Sequence, residues 1–159
     1  MDTSDIDQKN RVKNSVLRFL SFRPRSIYEV KVYLLKRGYA SGLITQVVDD
    51  LAEAGFLDDK LFASWLTDSR IRTGPAGPIK ITAELKAKGI AADIIKDVIS
   101  RDWTKIIRAG WTKNAKKLAL LSPRDKMQKI RNILIRQGFS HQQIGRLVDS
   151  LRLSGYNTT

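Results

Sequence analysis

The residues of this chain with the clearest chemical meaning are its lysines and arginines, which are distributed unevenly. The 159 residues carry a formal net charge of +13. Residues 1–57 and 58–107 each hold nine basic against seven acidic residues, whereas from Arg108 onward eleven basic residues face only Asp125 and Asp149. Ammonium and guanidinium groups concentrated in this way can neutralise phosphates, so the last third favours a polyanionic partner.

Catalytic chemistry has few candidate residues. His141 is the only histidine and there is no cysteine, which excludes a histidine pair, a thiolate zinc site, cysteine catalysis and a disulfide. No phosphate-binding loop of the G-x-x-x-x-G-K-[ST] type occurs. The carboxylates are scattered and lie mostly where helices are expected to start, which the helix dipole explains. We therefore expect no enzymatic activity, no metal site and no cofactor.

The composition is that of a soluble globular protein, with 42% apolar and 28% charged residues. No apolar run approaches the roughly 18 residues that a membrane span requires. Residues 1–10 carry Asp2, Asp5 and Asp7 and resemble neither a signal peptide nor an anchor. We expect a cytoplasmic protein, and the lack of cysteine is compatible with a reducing compartment.

Apolar residues recur at helical spacing through the chain, which must position the basic groups. Three short helices with tight turns are predicted in the first 57 residues. Their ranges are about Gln8 to Ser21, a second helix that begins with the capping-box residues Ser26 and Glu29 and ends at Gly38, and about Ser41 to Ala54. Asp58 is predicted to cap a fourth helix that ends near Thr73, and a long helix is predicted from about Asp102 to Leu121.

The pattern repeats three times when Gly38, Gly89 and Gly138 are aligned, at intervals of about 50 residues. A leucine stands four residues before each glycine, and apolar residues recur at matched positions on both sides. These matches are Val30, Ile81 and Ile130; Leu34, Leu85 and Leu134; Ile44, Ile95 and Ile144; and Val47, Val98 and Leu147. The sequence therefore predicts three tandem copies of a three-helix unit.

The predicted fold class is all-α, with three helix-turn-helix-like repeats forming an elongated array that is either curved or straight. The predicted division is a polar tail at 1–10, repeats at 11–57, 58–101 and 102–154, and a tail at 155–159. An array of this kind offers a long contact surface, which suits binding better than catalysis.

The stretch from Gly55 to Gly89 also resembles a known family. The matching residues are Gly-Phe-Leu-Asp-Asp at 55–59, Phe62-Ala63, Ser69-Arg70, Gly77-Pro78, Lys80-Ile81, Glu84-Leu85 and Lys88-Gly89-Ile90. This order resembles the RecX regulatory proteins, bacterial modulators of the RecA recombinase, and the resemblance extends from about Val12 to Leu151. Phe62 and Trp65 are interpreted as core residues.

The resemblance implies an all-α modular protein that binds the RecA nucleoprotein filament, impedes its extension and lowers its ATPase and strand-exchange activities. Homologous recombination and the SOS response of DNA repair would be modulated in this way. We expect a monomer that acts on no small-molecule substrate. The candidate contacts to RecA are Arg70, Arg72, Lys80, Lys86 and Lys88.

The candidate DNA contacts lie in the third repeat. Helical projection places Met127, Ile130 and Leu134 on one face of its middle helix. The charged candidates are Lys113, Lys116, Lys117, Arg124, Lys129, Arg131 and Arg136. Contacts to phosphate would carry no base information, so we expect DNA binding that is indifferent to sequence.

A helix-turn-helix transcriptional regulator is the alternative, because three helices with a tight turn also describe that module. Its reading helix needs Arg, Asn or Gln exposed near its N-terminus. The third helix of repeat one is acidic, with Asp49, Asp50 and Glu53, and that of repeat two carries Asp93 and Asp97. Only the third repeat could enter a groove, through the residues His141, Gln142, Gln143 and Arg146. The modulator is therefore favoured.

Overall fold

A computed structural model describes residues 3–74, 76–112 and 120–153, with no side-chain description for 3–4, 108–112, Pro123 or 150–153. These residues form helices joined by short turns, and no strand occurs among them. The helices are α1 Thr3–Leu20, α2 Ile27–Leu35, α3 Ser41–Glu53, α4 Asp59–Thr73, α5 Pro78–Ala87, α6 Ala92–Ile99, α7 Trp103–Thr112, α8 Pro123–Gln137 and α9 His141–Leu153. The all-helical prediction is confirmed for the described part of the chain.

The chain divides into two compact units. Unit 1 comprises Met1–Leu66 and Glu84–Val98, and unit 2 comprises Thr67–Ala83 and Ile99–Thr159. The helices α4 and α5 therefore each contribute to both units. The three-repeat division of the sequence stays a prediction.

The core of unit 1 collects the apolar stripes of its first three helices. Helix α3 packs against both α1 and α2. The buried residues that meet there are Val12, Val16, Val30, Leu34, Ile44, Val47, Val48, Leu51 and Leu57. Burying one such side chain contributes about 1.5–3 kcal/mol relative to leaving it exposed, so this stripe explains why the short helices are stable.

Unit 2 has an apolar core of its own, which includes aromatic residues. Helix α9 contacts both α7 and α8, and Trp103 meets Phe139 edge to face at 5.8 Å between ring centroids. The Trp103 indole N–H donates to the Ile99 carbonyl at 2.9 Å, so burial leaves this polar group satisfied. The other buried apolar residues are Ile81, Ile107, Ile130, Leu134, Ile144, Leu147 and Val148.

The aligned glycines end α2, α5 and α8 in the same way. Gly38, Gly89 and Gly138 have φ of 78°, 74° and 91°, a backbone conformation that residues with a side chain adopt only at a cost in free energy. The N–H of the residue after each glycine donates to the carbonyl of the leucine four before it, at 3.4, 3.1 and 3.1 Å. Each turn is therefore a Schellman motif.

One predicted helix start differs from the structure. Helix α1 begins at Thr3 instead of Gln8, so most of the predicted tail at 1–10 is helical. Ion pairs of Lys9 and Lys13 with Asp50 join the following turns of this helix to α3. Helix α7 begins at Trp103, as predicted to within one residue, and residues 113–119 of the predicted helix lie outside the described residues.

Candidate functional site

Helix α8 carries the described part of the predicted DNA-binding surface. It begins where the Ser122 hydroxyl accepts the Asp125 N–H at 3.1 Å, with Pro123 in its first turn. Ile130 and Leu134 are buried, as the helical projection predicted. The helix therefore directs its remaining faces toward solvent.

Four basic side chains of α8 are exposed, and we call them the α8 basic face. They are Arg124, Lys129, Arg131 and Arg136. Within the part of the chain that the structure describes, none of the four makes an ion pair. The other predicted DNA contacts, Lys113, Lys116 and Lys117, lie outside the described residues. The α8 basic face is thus a set of cations available to an anionic ligand.

The predicted RecA contacts lie on and beside α4 and α5, in several different environments. Arg72, Lys80 and Lys86 are exposed, whereas Arg70 is half-buried. Lys88 is also half-buried and is engaged with Glu29. The structure therefore leaves three of these five cations exposed and shows one in an internal ion pair.

Lys88 takes part in a cluster that sequence reasoning missed. Its Nζ donates to Oε1 of Glu29 at 2.7 Å, and Arg23 donates to both carboxylate oxygens at 2.8 and 3.1 Å. The Ser26 N–H donates to Glu29 Oε2 at 3.3 Å, and the Ser26 hydroxyl accepts the Glu29 N–H. The predicted capping box is confirmed, and its glutamate also joins the start of α2 to the residues that follow α5.

The pKa of Glu29 reflects this arrangement. Burial raises the pKa of its carboxyl, but the hydrogen bonds from Arg23, Lys88 and the Ser26 N–H outweigh burial and lower it to about 2. The carboxylate is therefore charged at every physiological pH. The same two helix ends also meet where Gly89 packs against Tyr28, since a methyl group at Gly89 would lie 2.6 Å from the Tyr28 Cβ. We call the Glu29 ion pairs together with this Gly89–Tyr28 contact the first junction.

A corresponding contact in unit 2 joins the end of α8 to the start of α5. The Gly77 N–H donates to the Gln137 carbonyl at 2.7 Å, and the Ile79 N–H donates to the Gly138 carbonyl at 3.1 Å. Free N–H groups of one helix start thus meet free carbonyls of another helix end. We call this contact the second junction; Lys80 packs over Gly138 there, since a methyl group at Gly138 would lie 2.8 Å from Lys80 Cγ.

The third helices of the three predicted repeats, α3, α6 and α9, differ in charge. On α3, Asp49 and Glu53 are exposed, and the Asp50 carboxylate has its pKa lowered by Lys13 and Lys9. On α6, Asp93 and Asp97 are exposed. On α9, the exposed residues His141, Gln142 and Arg146 carry no negative charge at the helix start. Of these three helices, α6 carries a carboxylate in its first turn, whereas the carboxylates of α3 lie in its second half and α9 has none in its first turn.

Other kinds of site were also sought in the described part of the chain. Those residues contain no group of three or more His, Asp or Glu side chains that could hold a metal ion. None of the described helices is both long enough and apolar enough to cross a membrane.

Comparison with known proteins places these features in a family. The model of the first three-helix domain of RecX matches residues 13–51, and the model of the second matches residues 58–99. A regulatory protein RecX from Pelodictyon phaeoclathratiforme is 34% identical over 140 residues, covering 87% of this chain and 88% of its own. One from Bacillus subtilis is 32% identical over 158 residues, covering 95% of this chain and 60% of its own.

Solved structures agree with this assignment. The crystal structure of RecX from Lactobacillus salivarius superposes with a TM-score of 0.79 at 26% identity, over 93% of this chain and 99% of that chain. A second RecX crystal structure superposes with a TM-score of 0.74 at 23% identity, over 92% of this chain and 74% of that chain, which shows the shared fold.

The described helices and the two domain matches define an all-helical protein made of three-helix domains. With both domain matches and a relative covered almost end to end, the chain belongs to the RecX family of regulatory proteins. It spans most of the Pelodictyon relative but only 50% to 60% of the length of those from Lactobacillus johnsonii and Bacillus subtilis.

Proposed function

We propose that this protein regulates the RecA recombinase by binding the RecA nucleoprotein filament and inhibiting its extension, ATPase and strand exchange. Homologous recombination and the SOS response would be modulated as a result. Membership of the RecX regulatory family over two successive three-helix domains carries the proposal. In this proposal the protein acts as a monomer, in the cytoplasm with the filament, and catalyses no reaction of its own.

Exposed cations near α5 support a protein contact. Arg72, Lys80 and Lys86 are available to carboxylates of a partner, and rim charges of this kind set association rate and orientation more than affinity. Lys88 contributes less directly in this proposal, because it is already paired with Glu29. The filament contact would therefore centre on the first three cations.

The α8 basic face supports an accompanying contact to DNA. Its four side chains carry positive charge without an internal partner in the described residues, and phosphate neutralisation by such groups releases counterions. Phosphate contacts of this kind position a protein on DNA without reading its sequence. In the proposal, the DNA contact fixes the protein on the filament that RecA forms.

The test is the RecA ATPase on single-stranded DNA with this protein added below stoichiometry. Strong inhibition at a low molar ratio is expected, because blocking filament growth affects many RecA molecules. The double variant Arg72→Glu with Lys86→Glu should inhibit less at equal concentration. A matched charge reversal at exposed Lys36 and Lys60 should inhibit like wild type. An ATPase unaffected by wild-type protein at any ratio would refute the proposal.

The DNA contact has its own test. Each neutralised phosphate contributes about 0.9 to the log–log salt slope of duplex binding, so reversing Arg124, Lys129, Arg131 and Arg136 together should flatten the slope by about 3 to 4. The fold should be retained, because exposed charges contribute little to stability. An unchanged slope in a folded variant would show that the α8 basic face does not bind DNA.

A helix-turn-helix transcriptional regulator remains the second candidate, favoured by exposed His141, Gln142 and Arg146 at the start of α9. That function requires preference for one duplex sequence. Tight binding to a selected duplex, combined with no effect on RecA, would favour it. Equal affinity for unrelated duplexes would exclude it.

A further inference from the structure

A cleft between α1 and α2 in unit 1 is lined by arginines, aromatic residues and small polar residues. Its volume is about 570 Å³, within the range of roughly 300–1,000 Å³ typical of ligand sites. The described residues that line it are Arg11, Asn14, Ser15, Arg18, Phe19, Phe22, Tyr33 and Arg37. Neither a carboxylate nor an aliphatic side chain is among them. We call it the α1–α2 cleft.

A stack of planar groups forms one wall of the cleft. Phe19 and Tyr33 lie parallel, with ring centroids 4.1 Å apart and planes inclined by 9°. The Arg37 guanidinium lies 3.9 Å from the Tyr33 centroid, and the Arg25 guanidinium lies 3.9 Å from that of Phe19. Two groups this close to one ring centre must occupy opposite faces, so the four groups form successive layers.

Further contacts fix this wall in place. The hydroxyls of Ser15 and Tyr33 are hydrogen-bonded at 2.9 Å, which joins α1 to α2 beside the stack. Phe19 and Tyr33 are each covered on both faces and are thus unable to stack on a ligand. A ligand in the cleft can therefore meet Phe22 and the three arginines that line it, Arg11, Arg18 and Arg37.

Phe22 is the aromatic group that remains free. Phe22 is 84% exposed, which is unusual for a phenylalanine, and it lies two residues after the end of α1. Arg11, Arg18 and Arg37 are exposed as well, and none makes an ion pair within the described part of the chain. An open aromatic face beside unpaired guanidinium groups is the combination that binds a nucleobase together with its phosphates.

We propose that the α1–α2 cleft binds single-stranded nucleic acid, with a base stacked on Phe22 and phosphates held by Arg11, Arg18 and Arg37. A duplex is disfavoured because its bases are read by a convex element entering a groove, whereas this surface is concave. A peptide is disfavoured because peptide grooves use aliphatic pockets or a sheet edge. The inference goes beyond the proposed function and does not rest on it, since it requires neither RecA nor the α8 basic face.

Fluorescence anisotropy of the full chain with a labelled oligothymidylate tests the stacking contact. Phe22→Ala should weaken binding by about fivefold or more, since the loss of one base–aromatic stacking contact has at least about that effect. The matched control is Phe56→Ala, because Phe56 is also exposed, at 58%, and does not line the cleft. Both variants should melt like wild type. Equal binding by Phe22→Ala and wild type would overturn the proposal.

A second arm tests whether bases and phosphates are both read. Arg11→Gln with Arg18→Gln should weaken binding to oligothymidylate and to an abasic strand of equal length, whereas Lys60→Gln with Lys96→Gln should weaken both less. The effect of Phe22→Ala should disappear on the abasic strand. An equal effect of Phe22→Ala on the abasic strand would overturn the proposal. Tighter binding of polyglutamate than of oligothymidylate, lost in the arginine variant, would also overturn it and indicate an acidic protein ligand.

Discussion

At each junction the end of one helix meets the start of another: α5 meets α2 at the first junction, and α8 meets α5 at the second. Different groups make the two contacts. At the first junction, Glu29 accepts hydrogen bonds from Lys88 and Arg23, so charged side chains make the contact. At the second junction, Gly77 and Ile79 donate to carbonyls at the end of α8, so the backbone makes it. The same geometric task is therefore solved once by ion pairing and once by close approach of main chains.

Aligned positions explain the difference. Nine residues before the glycine that ends each helix stands Glu29 in α2 and Lys80 in α5. Twelve residues before that glycine stands Ser26 at the start of α2 and Gly77 at the start of α5. Ser26 caps its own helix and keeps a side chain at the junction. Gly77 has none, and a methyl group there would lie 2.5 Å from the Gly138 carbonyl oxygen. Losing the side chain allows the helix end to satisfy the free N–H groups directly.

The largest effect should come from the buried leucine that stands four residues before the glycine at each junction, Leu85 at the first and Leu134 at the second. Leu85→Ala should reduce the free energy of unfolding by about 2–5 kcal/mol, because Leu85 is fully buried and truncation leaves a cavity. Leu134→Ala in α8 should have a similar cost. Urea unfolding measures both, with Leu35→Ala at a half-exposed position as the control. A Leu85→Ala variant as stable as wild type would contradict the packing described for α5.

Gly77→Ala should break the second junction alone. The added methyl group meets backbone atoms of Gly138, which cannot rotate away, so we expect a loss of about 1–3 kcal/mol in unfolding free energy. Gly74→Ala is the matched control, because a methyl group at Gly74 meets no atom within 4 Å. Equal costs for the two variants would show that the close backbone approach is unimportant.

Glu29→Gln should weaken the first junction, with a cost of about 1–2 kcal/mol at pH 7. The cost should depend on pH, because the folded-state pKa of Glu29, about 2, lies below its ordinary value of 4.5. Stability from this carboxylate is present above pH 4.5 and is lost as the pH falls toward 2. Unfolding at pH 7 and pH 3 should show the gap between variant and wild type narrowing.

The same pH series distinguishes the junctions. No titratable side chain takes part in the hydrogen bonds of the second junction, so the cost of Gly77→Ala should be the same at pH 7 and pH 3. A cost of Glu29→Gln that stays constant with pH would mean that the glutamate acts by packing and not by charge.

The smallest effect is expected beside the first junction, where Asp59 Oδ1 accepts the Ile27 N–H at 2.9 Å. Burial raises the pKa of Asp59, although the Ile27 N–H opposes this shift. A raised pKa means that stability is lost as the pH rises through it, so Asp59→Asn should stabilise slightly at pH 7, by less than about 1 kcal/mol. The gain should vanish at pH 3 in thermal melts. A clear loss at pH 7 would show that the charge itself is needed.

Local sequence predicted those parts of the fold that neighbouring residues determine. Ser26 with Glu29 predicted a helix start, Gly38 predicted a helix end, and Asp58 was predicted to cap α4, where its carboxylate accepts the Lys60 and Leu61 N–H groups at 2.7 and 3.0 Å. Helical periodicity also placed the buried and exposed sides of α8 correctly. Phe62 is buried as predicted, whereas Trp65 is half-buried beneath Arg23.

Contacts between distant residues could not be predicted in this way. Lys88 and Glu29 are 59 residues apart, and Lys88 was assigned to a partner because nothing near it in sequence indicated an internal ion pair. The α1–α2 cleft was missed for a related reason. Arg11, Ser15 and Arg18 follow helical spacing and could have signalled a basic stripe, but Tyr33 and Arg37 join them only when α2 packs beside α1.

The interleaving of the two units constrains how the protein can be made. The chain passes from one unit to the other three times, near residues 66, 83 and 98. Residues 67–83 therefore leave the ribosome before unit 1 is complete, and they must wait for residues 99 onward before their own unit can assemble. Dividing the chain at any single point from residue 66 to residue 98 would separate the two segments of at least one unit.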